Sequence, residues 1–189
     1  MQRRSFICAT AALTVGGITL AACSTSGDTT DMAKRQSIDT GVDQTLTRLY
    51  SSVQGSRELA DRAKGVLVFP SIIEAGLIVG GQHGDGALRV NGTTVGYYST
   101  TSASFGLLAG AQSKALIMMF MTADALDKFR NSNGWTAGVD ASVTVMKTGA
   151  SKAIDTASAT APVTAMVLTN AGLMGDLSLQ GTKVSRLKI

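Results

Sequence analysis

The one histidine of the chain, His83, stands in Gly80-Gly81-Gln82-His83-Gly84-Asp85-Gly86, two residues before a carboxylate. Histidine, a carboxylate and one of the many serines are the parts of a nucleophilic triad. In a strand, however, His83 and Asp85 share a face without the buried orienting bond that a triad requires, and the chain has no Gly-x-Ser-x-Gly elbow. His83 reads as a surface histidine near a turn. The same glycines make no phosphate cradle, because more strand follows them where a dinucleotide fingerprint needs a helix. A P-loop is excluded by the absence of Gly-Lys-Ser or Gly-Lys-Thr. Glu58 and Glu74 are the only glutamates, and Asp124 with Asp127 lies near a helix start, where acids complement the dipole. A metal would need histidine or cysteine partners, or an oxygen-rich loop, and neither is found. The residues therefore predict no catalytic group, no metal and no cofactor. A hydrolase working through His83 ranks third among the functions considered.

The other reactive side chains are Cys8 and Cys23. Arg3 and Arg4 precede an uncharged stretch from Ser5 to Ala22 that closes in Leu20-Ala21-Ala22-Cys23. A basic start, a short apolar middle and small residues at the end describe a secretory signal peptide over 1–22. A membrane-spanning anchor needs about 20 predominantly apolar residues, and this stretch is shorter and rich in Ala, Thr and Gly. The ending resembles the lipobox of bacterial lipoproteins, which implies that Cys23 is freed, acylated and left as the first mature residue. Ser24 follows it, which in that family implies sorting to the outer membrane. The expected protein is exported and held by lipid on a membrane. Its mature part has no thiol left for a disulfide, a metal or nucleophilic catalysis. Losing Arg3 and Arg4 takes the formal net charge from +4 to +2, a balance that does not support a nucleic-acid binder.

The elements follow from spacing. Residues 23–37 are polar apart from Met32 and Ala33 and predict a flexible tether reaching roughly 20 Å. Residues 38–189 have the length of a single domain. Val42, Leu46, Leu49, Tyr50 and Val53 form a helical stripe within 40–64, interrupted at Gly55-Ser56, with Ser56 as the expected N-cap of a second helix. On that helix Glu58 with Arg62, and Arg57 with Asp61, are spaced to form ion pairs. Strands are predicted at Val66–Phe69, stopped by Pro70, and at Ala75–His83, turned by Gly84-Asp85-Gly86 into Ala87–Val90. Asn91-Gly92 makes the next turn before Thr93–Thr100. Ala103–Gln112 follows. Ala115–Met121 is apolar enough to sit centrally with both faces covered, and Met118, Met119 and Met121 are core filler. A helix over Ala123–Arg130 is capped by Thr122. Trp135 is placed in a core or hairpin. Ala137–Val145 alternates as a strand, 148–161 reads as a loop, and Val163–Thr169 and Leu173–Gly181 complete the sheet. The fold class is α+β, with a dominant, strongly curved antiparallel sheet, a sandwich or partly closed barrel. Helices at the N-terminus and one short mid-chain helix accompany it. The recurrent strand glycines suggest curvature or close backbone approach.

Ala63-Lys64-Gly65-Val-Leu-Val-Phe-Pro70, Ala75-Gly-Leu-Ile-Val-Gly-Gly-Gln82 and Gly84-Asp-Gly86 resemble the SYLF lipid-binding family. So do Ser104-Phe-Gly-Leu-Leu-Ala-Gly-Ala-Gln-Ser113, Ala123-Asp-Ala-Leu126, Gly138-Val-Asp-Ala-Ser-Val143 and Gly172-Leu-Met-Gly-Asp-Leu-Ser-Leu-Gln-Gly181. The likeness runs in order from Ser56 to Leu187. Tyr97-Tyr98-Ser99 departs from it, standing where many members have a tryptophan before the serine. In eukaryotes the family is a membrane-binding module, some members of which bind phosphoinositides or actin filaments; bacterial members are often predicted lipoproteins of undefined role. The resemblance implies a non-enzymatic domain that binds anionic phospholipid or phosphoinositide headgroups. Arg48, Arg57, Arg62 and Lys64 near the helices, and Lys183, Arg186 and Lys188 at the C-terminus, are the candidate contacts, each worth about 1 kcal/mol beside an anionic membrane. The alternative is a protein-interaction scaffold of the cell envelope, anchored by its acyl chains alone and docking an envelope partner.

Overall fold

The computed structural model describes residues 26–76, 79–105, 112–146, 161–169, 172–174, 179 and 181–189. Cys23 and the 1–22 segment therefore lie outside the described residues, as do 106–111 and most of the expected 148–161 loop.

The expected tether is helical from its fourth residue. Helix α1 spans Ser26–Ser52. Ala33-Lys34-Arg35-Gln36 are strong helix formers, Asp28 stands in the first turn, and Lys34 is held to Asp85 at 3.0 Å. Ile38, Val42, Leu49 and Val53 are buried along one stripe. After it comes α2, Ser56–Arg62. Its N-cap is Gly55, in the left-handed region at φ 82, rather than Ser56. Ser56 turns inward and its hydroxyl donates back to the Val53 carbonyl at 2.6 Å.

The strands are β1 (Gly65–Gly76), β2 (Val79–Val90), β3 (Thr93–Phe105) and β4 (Gln112–Phe120), then helix α3 (Ala123–Asn131). The later strands are β5 (Trp135–Thr136), β6 (Val143–Val145), β7 (Val163–Thr169), β8 (Gly172–Met174) and β9 (Lys183–Arg186). They form one nine-stranded sheet in the order β5-β9-β3-β2-β1-β4-β7-β6, with β8 on β7, curled as a half-barrel. All pairings between these strands are antiparallel except β6 with β7. Phe120 of β4 and Trp135 of β5 are far apart in strand order, yet their rings meet at 6.4 Å, which measures the curl.

Each face of the sheet carries its own core. On the inner face Leu67, Phe69, Leu88, Leu116, Met118 and Phe120 pack with Phe129 of α3 and with Trp135. On the outer face Val68, Ala115, Ile117, Met119 and Met166 pack under α1 and α2. Strand β4 is buried from Lys114 to Phe120, alternating between the two cores as its central position requires.

Several strand boundaries differ from expectation. Strand β1 runs through Pro70, and the ladder registers shift on both sides of it, so the missing N–H falls in a bulge. The reversal from β1 to β2 lies between Gly76 and Gly80, which are paired, so Ala75–His83 is not one strand. Gly84-Asp85-Gly86 lies inside β2 and makes no turn. Its glycines accommodate the bulge: a Cβ on Gly86 would stand 2.2 Å from the Val68 carbonyl oxygen, and one on Gly84 2.7 Å from that of Ser71. Asn91 and Gly92, at φ 51 and 79, form the expected turn between β2 and β3. Within the expected Ala137–Val145 strand, residues 136–141 fold into a tight turn. Gly138 adopts φ 81, and the Asp140 carboxylate accepts the Thr136 N–H at 2.6 Å, drawing the backbone out of the ladder. Only Val143–Val145 pairs as strand there. Thr122 caps α3 as expected, accepting from the Ala125 N–H at 3.3 Å.

Candidate functional site

His83 lies on β2 with its side chain 64% exposed, and Nε2 is 3.6 Å from Asp85 Oδ1. The other Asp85 oxygen receives Lys34 at 3.0 Å. The histidine is thus an exposed partner of a carboxylate already held by a lysine, and no serine hydroxyl bonds to it among the described residues. Also among the described residues, no three His, Cys, Asp or Glu side chains are grouped to hold a metal. No helix among them is long and apolar enough to cross a membrane.

The seven candidate cations do not form one patch. Arg48, on α1, lines an open groove of about 920 Å³ between that helix and the β1 bulge, with Gly41, Gln44, Pro70, Ser71 and Asp85. Arg57 lies over the Tyr50 ring at 4.4 Å. Arg62 Nε donates to the Glu58 carbonyl at 3.3 Å. The ion pairs expected along α2 are therefore not formed: one guanidinium covers an aromatic ring and the other bends back onto its own helix. Burial raises the Tyr50 pKa, and Arg57 pulls it back down. Exposed Lys64 follows α2, and its N–H donates to the Phe120 carbonyl at 2.7 Å. Lys183 and Arg186 lie on β9, beyond β2 and β3 in the sheet order, and Lys188 follows them.

The polar network that organises the molecule is one that sequence spacing does not announce. Asp39 of α1 accepts from Thr94 Oγ1 at 2.7 Å and from Tyr97 Oη at 2.8 Å. Arg89 Nη2 lies 3.4 Å from Asp39 and 2.9 Å from Asp43, one turn later on α1. One helix is so clasped to two strands. Burial raises the Tyr97 pKa, and the bond to Asp39 raises it further. A second network is internal: Lys114 Nζ donates to Glu74 Oε2 at 3.0 Å, with both side chains about nine-tenths buried. Lys114 borders a small pocket of about 10 Å³, room for one water, with Gln82, Thr100, Ser102 and Thr182.

Among the described residues, the lysines and arginines with acid partners, Lys34, Arg89 and Lys114, lie at the helix–sheet contact or in the interior. Arg186 is placed differently. It is the register partner of Tyr98 across β9 and β3, so both leave the same face. The Tyr98 ring sits 4.8 Å from that of Phe129 on α3, and Arg130 is the next residue of that helix. Burial pushes the Tyr98 phenol above its ordinary value, and Arg186 and Arg130 pull it back toward ionisation. Arg130 is not among the cations that the sequence singles out, because its helical neighbours give it the look of an ordinary solvated face.

Residues 101–188 match a family model described as Ysc84, Las17-binding protein actin regulator. Over that segment the chain is similar to the Ysc84 (SYLF) family. The matched segment opens inside β3 and takes in β4 to β9, with α3 between them. Strands β1 and β2 precede it, but the ladders of β1 with β4 and of β2 with β3 join them to the same sheet. The SYLF segment thus contains Tyr98's partner Arg186, together with Arg130 and Trp135. No curated protein matches the chain.

Proposed function

We propose that the SYLF domain is a non-enzymatic module that binds anionic phospholipid headgroups, carried by an exported lipoprotein acylated at Cys23 and destined for the outer membrane. The observation that carries this reading is the basic end of β9. Arg186 and Lys188 are exposed there and have no acid within ion-pair distance among the described residues. Cations left unneutralised at one edge gain most beside an anionic surface, about 1 kcal/mol each. The family's lipid-binding character points the same way. In the test, a mature chain with Cys23→Ser is sedimented with vesicles of neutral phosphatidylcholine, and with vesicles also carrying phosphatidylglycerol or phosphatidate. Stronger binding to the anionic vesicles, weakening as salt rises, is expected; equal binding to all three at physiological salt would sink the reading.

A second reading, an envelope scaffold that docks a protein partner, would use the outer face of the sheet. Ile73, on the outer face of β1, is 56% exposed there. An Ile73→Asp change that abolishes capture of a defined envelope partner, with vesicle binding intact, would select it.

A further inference from the structure

We infer that Arg130 and Arg186, converging on the Tyr98 hydroxyl, form a binding site for a phosphate group carrying two negative charges, as a monoester or as the free ion. The inference deepens the headgroup reading and rests on it only for a lipid as the source of the phosphate. Three observations place the site. Arg186 leaves β9 on the same face as its partner Tyr98, Phe129 of α3 packs against the same ring, and Arg130, the next residue of that helix, bears on the phenol's charge. Neither arginine has an acid within ion-pair distance among the described residues, in contrast with Lys34, Arg89 and Lys114. Ser132 satisfies the Phe129 carbonyl at the end of α3 with both its N–H and its hydroxyl, so capping that carbonyl does not fall to the Arg130 guanidinium.

Gly96 supplies the room. It precedes Tyr98 by two residues on the same face of β3. A Cβ there would lie 3.5 Å from Arg186 Nη2, 3.5 Å from Tyr98 Oη and 3.2 Å from the ring edge. Without a side chain, the space between guanidinium and hydroxyl stays open. Two planar guanidinium groups present paired N–H donors that match phosphate oxygens, and the phenol adds a donor for another oxygen. A phosphodiester has a single charge and fewer free oxygens to offer this set of donors, so the geometry favours a terminal phosphate.

The test uses the mature chain with Cys23→Ser and vesicles matched in surface potential, one set with phosphatidate and one with phosphatidylglycerol, alongside a titration with inorganic phosphate. The wild type is expected to prefer phosphatidate. R130Q and R186Q should each reduce that preference about tenfold, and Tyr98→Phe should reduce it less. Arg62→Gln, a remote cation, should weaken both vesicle types alike. Both arginines are exposed, and unchanged urea midpoints would show that the variants fold. Saturable binding of inorganic phosphate, lost in the R130Q/R186Q double variant, supports the site even where no vesicle is bound, and assigns the phosphate to a soluble source. A wild type with neither phosphatidate preference nor saturable phosphate binding overturns the site, as does a preference that survives in R130Q/R186Q. Equal binding to anionic and neutral vesicles removes the headgroup reading alone; the phosphate titration then decides the site.

Discussion

Asp39 holds a threonine, a tyrosine and an arginine from two strands with one carboxylate. Its charge makes each of these bonds stronger than a neutral one, while its partial exposure discounts them. Asp39→Asn should lower the unfolding free energy by about 2 kcal/mol, and Tyr97→Phe by about 1 kcal/mol, measured by urea denaturation. A smaller loss for Asp39→Asn than for Tyr97→Phe would mean that Asp43 alone keeps Arg89 and the helix in place. Nothing in the sequence around Asp39 signals this role, because its partners lie 50 to 58 residues away. The opposite holds for Thr122, whose capping bond to Ala125 is local and legible from spacing alone.

Helix α1 crosses the sheet at the β1 bulge, where a Cβ on Gly41 would lie 3.0 Å from the Pro70 ring. Below the bulge the β2 backbone approaches so closely that Gly86 admits no side chain. Gly86→Ala should therefore cost about 3 kcal/mol, since the clash is with backbone and cannot be relieved by a rotamer. Gly81→Ala on the same strand meets nothing within 4 Å and should be neutral or mildly stabilising. Similar thermal midpoints for the two variants would contradict this account of the bulge. These elements also show what a linear pattern conveys. The run Ala115–Phe120 is readable as a central strand because both of its faces are apolar. Pro70 and Gly84-Asp85-Gly86 read as a stop and a turn because their signals are identical to those of a bulge and the strand passing beneath it. Residues 137–145 alternate correctly, yet the Asp140 side chain and Gly138 override the alternation.

At the scale of the whole molecule, a single sheet serves two cores, and strand β4 contributes to both. Removing residues 26–54 should expose Val68, Ala115, Ile117 and Met119 together, giving a protein that binds a hydrophobic dye and unfolds without a sharp transition. Removing only residues 26–37 takes away the Lys34–Asp85 pair while sparing Ile38, and should cost less than about 1 kcal/mol. Calorimetry of the two truncations separates a structural helix from a dispensable leader. The family likeness and the sheet are legible at this scale because ordered motifs carry them. The meeting of α3 with Tyr98 is not, because curl and helix docking create it and neither has a local signature. The early start of α1 bears on how the protein meets a bilayer. Only Ser24 and Thr25 separate Cys23 from Ser26, a span of at most about 10 Å. An acyl group on Cys23 would therefore hang from a helix already fastened to the sheet, and the anchor would act as a bracket that limits which side of the domain can turn toward the lipid.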